Sequence, residues 1–337
     1  MISHTRYSIV APIYNEEGNI DLLYERISEI MDGLGEPWEL LLINDGSRDA
    51  SPEMMDTLAV KDSRVKVLHF ARNFGHQIAV TAGIDHAAGD AVVLIDADLQ
   101  DPPELIPELI ERWKAGYQVV YAVRAKREGE TWFKVWTAKL FYRTINQITA
   151  INIPVDTGDF RLMDRRVVDV LKQMREHSRF IRGMTSWVGF KQTGVSYVRA
   201  ARHAGETKYP LRKMLKFAGD AITGFSFWPL QVMLYFALVL GVLALLAIPV
   251  VAVLRLVAQA TFFEGQATTI VLLLLLSSFQ LFFLFVLGQY VARTYDEARG
   301  RPLYVLAQKI NFEETQSLAT ATLEVTRTEP VSAQDNR

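Results

Sequence analysis

Cysteine is absent from the 337 residues, which rules out disulfides, thiolate metal centres and a cysteine nucleophile. A charge excess is missing too: 36 basic against 38 acidic residues leave −2, so no basic surface argues for nucleic acid. The first residues, Met1 to Arg6, lack the apolar core of a signal peptide and run into a strand. The first half of the chain is therefore expected to stay in the cytoplasm.

Long apolar runs occur only late in the chain. Phe227 to Leu254 and Ala267 to Ala292 contain no charged residue. A bilayer core of ~30 Å needs about 20 helical residues, so both runs are expected to span it. Pro229 would open the first and Pro249 would kink it near its far end. Arg212, Lys213 and Lys216 precede the pair, and Arg293, Arg299, Arg301 and Lys309 follow it. Basic flanks mark the cytoplasmic side, giving a hairpin with both ends inside and a short loop outside. Between 209 and 226, Leu211, Met214, Leu215, Phe217, Ala218, Ala221, Ile222 and Phe225 gather on one helical face, as in an interfacial helix. Beyond Phe312 the tail is polar and is expected to be disordered. The boundaries read as 1–208, 209–226, 227–292 and 293–337.

The first half alternates strand and helix patterns. Strands are expected at Tyr7–Ala11, Leu40–Ile43, Val65–Phe70, Ala91–Ile95 and Gln118–Ala122. Helices are expected at Asn19–Met31, from Ser51, at His76–Ala87 and at Pro103–Lys114. This is an α/β order with a mostly parallel, Rossmann-like sheet, which binds ligands beyond the carboxyl ends of its strands. Tyr14, Asn15, Glu16, Asp45, Arg72, Asn73, Asp96, Asp98 and Arg124 all fall there.

Asp96 and Asp98 follow the apolar run Val92-Val93-Leu94-Ile95 at alternate positions. On an extended chain such side chains point the same way and present two carboxylates to one point. Mg²⁺ is commonly held by one or two carboxylates together with phosphate oxygens. Asp101, before Pro102 and Pro103, is expected to cap the next helix. Asp45 before Gly46 suits either a turn or a hydrogen bond to a base.

In order and spacing, Val10-Ala11-Pro12-Ile13-Tyr14-Asn15-Glu16, Asn44-Asp45-Gly46-Ser47 and Asp96-Ala97-Asp98-Leu99-Gln100 resemble the family 2 glycosyltransferases of GT-A fold. Ala71-Arg72-Asn73-Phe74-Gly75-His76-Gln77, Thr157-Gly158-Asp159-Phe160-Arg161-Leu162 and Gly205-Glu206-Thr207-Lys208-Tyr209 extend the likeness to polyprenyl-phosphate hexose synthases. Within these, the hairpin is most similar to that of the bactoprenol glucosyltransferases. Asn44 departs from the aspartate that many members carry.

The resemblance implies that Pro12, Tyr14, Asn15, Glu16, Asp45 and Asn73 hold the nucleotide-sugar, with Asp45 on the uracil. It implies Mg²⁺ or Mn²⁺ on Asp96, Asp98 and Gln100, with Asp159 as the essential acid. Arg124, Arg202 and Lys208 become candidates for the acceptor or donor phosphates. Arg161 is a candidate structural partner of Asp159, and His76 either opens its helix or faces the donor. The implied reaction is inverting transfer of a hexose, glucose first, from a UDP-sugar to undecaprenyl phosphate at a bacterial inner membrane. A homo-oligomer, a tetramer in the family, is also implied, as are a downstream flippase and a second glycosyltransferase. Galactose, N-acetylhexosamine, aminoarabinose and mannose donors are alternatives. A processive polysaccharide synthase would carry a Gln-x-x-Arg-Trp segment, which is absent, and a transport component would need polar groups within its helices.

Overall fold

The computed structural model describes residues 4–124, 157–198, 228–256 and 266–312. Arg202, Lys208, the interfacial helix expected at 209–226, the loop between the two apolar runs and the tail beyond 312 lie outside the described residues.

Strands β1 (Tyr7–Ile13), β2 (Trp38–Asn44), β3 (Val65–Phe70), β4 (Ala91–Leu94) and β5 (Val119–Arg124) confirm the expected alternation. Between them run α1 (Ile20–Leu34), α2 (Ser51–Lys61), α3 (His76–His86), a 3₁₀ turn (Pro103–Leu105) and α4 (Ile106–Lys114). Beyond Arg124 come β6 (Thr157–Asp164), α5 (Arg165–Gln173), α6 (Ile181–Trp187) and β7 (Gln192–Tyr197). Two long helices follow, α7 (Trp228–Leu256) and α8 (Gln266–Ala298), and then β8 (Leu306–Ile310).

The eight-stranded sheet has the order β7-β5-β6-β4-β1-β2-β3-β8. Strands β1 to β5 and β7 point one way; β6, between β4 and β5, and β8, beside β3, point the other. Side chains alternate across it. Ile9, Leu40, Leu42, Val93 and Phe160 meet α1, α2 and α4 on one face, while Val10, Leu41, Ile43, Val92 and Met163 meet α3, α5 and α6 on the other. Burial of a side chain such as Leu23 or Ile27 of α1 contributes about 1.5–3 kcal/mol. Gly35, at φ +66°, ends α1 in the left-handed conformation and donates its N–H to the Asp32 carbonyl.

Pro12 lies in β1, the middle of the sheet, where a missing donor normally breaks a ladder. The β4 partner strand ends at Leu94, and the last bond on that side runs from the Ile95 N–H to the Val10 carbonyl. By the alternation of backbone groups, Pro12 lacks its N–H on the side where β4 has already ended.

The apolar runs differ from the rest of the chain. Leu234, Leu243, Leu281 and Phe285 on α7 and α8 are more than half exposed, although they belong to helices of strongly apolar composition. Phe236 of α7 packs against Phe279 and Phe283 of α8, with ring centroids 4.8 and 5.6 Å apart. Among the described residues one helix, Leu275–Ala298, is long and apolar enough to cross a membrane. It runs beyond the Ala292 boundary expected from charge, and the chain then returns to the sheet as β8.

Candidate active site

The carboxyl edge of the sheet gathers the chemistry. The loops after β1 and β2 are laced together: the Asn15 N–H donates to Ser47 Oγ, the Glu16 N–H to Ser51 Oγ, and the Arg48 N–H to Asn15 Oδ1. Glu16 also accepts the Asn19 amide at 2.7 Å. Asn15 sits at φ +53°, a conformation asparagine tolerates better than most residues. Tyr14 stands exposed beside this lattice.

Asp45 serves the turn after β3. Its carboxylate accepts the Phe74 N–H at 2.7 Å, the Gly75 N–H at 3.0 Å and the Asn73 amide at 3.0 Å. Burial pushes the carboxyl up, and the bonds from Phe74 and Gly75 oppose that. Gly46 permits the approach: at φ +70°, a Cβ there would stand 2.7 Å from the Asn73 nitrogen. Asn44 donates to His69 Nδ1 at 2.9 Å and accepts the Ser47 N–H at 2.8 Å. His69 Nε2 meets Asp56 at 2.8 Å, so the ring links Asn44 to α2.

The extended geometry expected of Asp96 and Asp98 is not found. The strand stops at Leu94, Ala97 and Asp98 lie in a turn, and Leu99 adopts φ +55°. A buried leucine in that region is an outlier that costs on the order of 1–3 kcal/mol and persists only where the surroundings impose it. Asp98 Oδ1 accepts the Gln100 N–H at 3.2 Å. Asp101 precedes Pro102, which takes the cap position of the 3₁₀ turn, and Asp101 accepts the Tyr197 hydroxyl instead.

Asp159 arrives from the reversed strand. The β4–β6 register pairs Leu94 with Arg161, and its continuation sets Asp96 opposite Asp159. His76 Nε2 lies 3.0 Å from Asp159 Oδ2 and 3.6 Å from Asp96 Oδ1. Gln77 donates to Asp159 Oδ2 at 2.9 Å, and Arg182 Nε donates to Oδ1 at 2.8 Å. Burial alone would raise the Asp159 carboxyl. The charge of Arg182 and the bond and charge of His76 outweigh it and hold Asp159 well below the usual carboxylate range. Burial pulls His76 down, but its bond to Asp159 and the charges of Asp96 and Asp159 lift it to about 9. Arg161 turns away from the carboxylate to the carbonyls of Asp159 and Gly158 and to Thr185.

Arg124, at the end of β5, donates to the Tyr197 hydroxyl at 3.4 Å. Burial lowers its pKa, but that bond and the charges of Asp101 and Asp96 produce a net rise. Gln77, Arg182 and Tyr197 escape the sequence reading as site residues. Gln77 lies in the motif Ala71 to Gln77 with no pattern that marks it, and Arg182 lies in the first turn of a short helix with no distinguishing pattern around it.

A divalent cation is the cofactor to test against these groups. Among the described residues no three histidine, aspartate or glutamate side chains cluster as a metal site. The set offered is smaller: two carboxylates and an amide, which suits a hard cation completed by phosphate oxygens. The electrostatics agree. Burial, with the charges of Asp159, Asp101 and Asp98 acting against His76, raises Asp96 to about 6, a crowding that a cation would relieve.

Residues 8–171 match the model of "Glycosyl transferase family 2". Bacillus subtilis (strain 168) has a relative named uncharacterized glycosyltransferase YkcC. It is 53% identical over 313 residues, covering 93% of this chain and 97% of the relative. The prophage bactoprenol glucosyl transferase homolog of Escherichia coli (strain K12) is 41% identical, covering 89% of this chain and 98% of that protein. Among solved structures, glucosyl-3-phosphoglycerate synthase from Mycobacterium tuberculosis, in complex with Mn²⁺ and UDP-glucose, is similar at a TM-score of 0.43 and 21% identity. The match covers 65% of this chain and 77% of that one.

Proposed function

The chain belongs to glycosyl transferase family 2, and from that premise we propose that it moves glucose from UDP-glucose to undecaprenyl phosphate at the cytoplasmic membrane face. The observation that carries this reading is the gathering of Asn15, Asp45, Asn73, Asp96, Asp98, Arg124 and Asp159 along one edge of the sheet. The extensive likeness to the bactoprenol glucosyl transferase homolog supports the lipid acceptor and the sugar.

In this reading Tyr14, Asn15 and Glu16 border the nucleoside, while Asp45 and Asn73 shape its pocket through the turn they share. Asp96, Asp98 and Gln100 would hold Mg²⁺ or Mn²⁺ against the donor diphosphate. When bound, the ion supplies positive charge to the departing diphosphate. Arg124 adds a fixed cation whose charge interacts with Asp101 and Asp96. A phosphate monoester has a second pKa near ~6, so the acceptor is mostly a dianion at neutral pH. It needs no strong base, and Asp159, held ionised between Arg182 and His76, acts by orientation rather than by taking a proton. Attack from the face opposite the leaving group inverts the sugar. An α-linked donor then gives a β-linked lipid phosphate, and an α-linked product would refute this.

The membrane hairpin is part of the proposal. Strands β7 and β8 lie in one sheet, although α7 and α8 intervene. A chain that leaves a domain through one membrane helix needs a second crossing to return to it. If α8 spans the bilayer, α7 is the return partner, which supports two crossings with Arg293, Arg299 and Arg301 on the side of the sheet.

The test is purified protein with undecaprenyl phosphate and labelled sugar nucleotides, with Mg²⁺, with Mn²⁺ and with a chelator. Labelled lipid from UDP-glucose, abolished by the chelator, is the expected result. Absence of lipid labelling from every donor with either ion would overturn the proposal.

A further inference from the structure

Helix α3 presents Gln77, Thr81 and Asp85 four residues apart, on one face. The segment between α5 and α6 runs along that face in the opposite direction. Arg175 pairs with Asp85 at 2.8 Å, Arg179 Nε donates to Thr81 Oγ1 at 3.1 Å, and the Ile181 N–H donates to Gln77 Oε1 at 2.9 Å. The segment is a strap bonded along the length of α3. Its outer side holds the end of α8: the His177 N–H donates to Glu297 at 2.7 Å, and the ring nitrogens meet Glu297 at 3.0 Å and the Arg301 carbonyl at 2.9 Å.

The strap ends at Asp159. Gln77, its Oε1 committed to Ile181, turns its amide nitrogen to Asp159 Oδ2. Arg182, one residue past Ile181, donates through Nε to Asp159 Oδ1 and through a terminal nitrogen to the Thr157 carbonyl at 3.0 Å. Each oxygen of Asp159 therefore accepts from a group whose place the strap or α3 determines. Arg161, the arginine nearest in sequence, bonds backbone and Thr185 instead. The orienting cation comes from a helix more than twenty residues away, as the separation of 159 and 182 requires.

We propose that Arg182 is a positioning residue of the transfer reaction: it acts through Asp159, fixing that carboxylate in one orientation beside Asp96, and the strap from Arg175 to Ile181 sets its place. This rests on the reading of the site as that of a sugar-nucleotide transferase. An orientation held by two bonded nitrogens of one guanidinium is not reproduced by an ammonium, which lacks the planar fork. A carboxylate misplaced by about 1 Å costs on the order of 10²-fold in rate.

The test is a double-mutant cycle with Arg182→Gln, Asp159→Asn and the pair, with Arg182→Lys as the conservative variant. Turnover, the KM for the donor, and UDP affinity with Mn²⁺ by calorimetry are measured for each. Arg182→Gln is expected to lower kcat about 10²-fold with UDP affinity and donor KM changed less than about threefold. Arg182→Lys should retain more activity than Arg182→Gln, and the pair should be no slower than Asp159→Asn alone. Losses that multiply in the pair, or a UDP affinity that falls as far as kcat, would overturn the proposal. Melting curves in detergent identify a misfolded variant, and Arg182→Ala with added guanidinium ion then replaces it, recovery of turnover being the supporting result and no recovery the contrary one. If undecaprenyl phosphate is the wrong acceptor, wild type fails to label it. The cycle is then read on UDP release from the donor, so the two failures are distinguishable.

Discussion

Gly83→Ala sets two opposed effects against each other. Alanine in place of glycine inside a helix normally gains up to about 1 kcal/mol. Here α3 crosses β1 and β2 so closely that a Cβ on residue 83 would stand 2.1 Å from Val10 Cγ1, 3.0 Å from Ile43 Cδ1 and 3.3 Å from Val10 Cβ. Val10 and Ile43 are fully buried. Rotating Val10 moves Cγ1 but leaves its Cβ in place, so the helix must lift. Overpacking of a core costs about 1–3 kcal/mol, and an overlap of this size belongs at the upper end. The net expectation is a loss of about 1–2 kcal/mol. Denaturant unfolding of the detergent-purified protein, followed by tryptophan fluorescence, measures it. Val10→Ala alone should cost about 2 kcal/mol from two lost methyl groups and the space they leave. Combined with Gly83→Ala it should cost less than the sum by about 1 kcal/mol or more, since it removes the clashing methyl. Because α3 begins with His76 and Gln77, Gly83→Ala should also slow turnover by roughly tenfold or more. A higher unfolding midpoint for Gly83→Ala, or strict additivity with Val10→Ala, would refute the reasoning.

Asp98→Asn should lower cation-dependent transfer by about 10²–10³-fold with the unfolding midpoint unchanged, and full activity across a Mn²⁺ titration would count against the proposed ion site. His177 is raised above its ordinary value, chiefly by its hydrogen bond to Glu297. Its pairing therefore contributes fully below about pH 6.5 and fades as pH rises through the raised value. Amide protection of 175–180 and 299–304 should accordingly fall as pH rises above about 6.5 in wild type and stay flat in Glu297→Gln; protection that rises with pH reverses the sign and rejects the pairing of His177 with Glu297. Ending the chain before Val305 removes β8 and the Asn311 amide bonds to the Ala59 and Val65 carbonyls. The uncovered β3 edge should lower the midpoint and promote aggregation in light scattering, and a monodisperse, equally stable product would show that β8 is dispensable.

By itself the sequence determined the first five strands and the helices between them, because continuous apolar runs and helical spacing are local patterns that burial in the sheet enforces. It also placed Asn15, Asp45, Asn73, Asp96 and Arg124 at one edge, since groups just past parallel strands share the carboxyl side of the sheet. The turn at Asp96 to Leu99 was legible only in part: the run of apolar residues marked the strand, but not that it stops two residues before the first aspartate. Tertiary structure alone decided where Asp159 stands. Strand β6 is antiparallel, so its beginning, rather than its end, lies at the carboxyl edge, and the register that sets Asp159 opposite Asp96 joins segments more than sixty residues apart. The same holds for Arg182 and Gln77, brought to one carboxylate by a strap with no periodic signature, and for β8, a short polar-edged strand that returns after two apolar helices. Periodicity reports which side of an element is buried. It carries no information on which distant element supplies the partner, and the orientation of Asp159 depends on those distant partners.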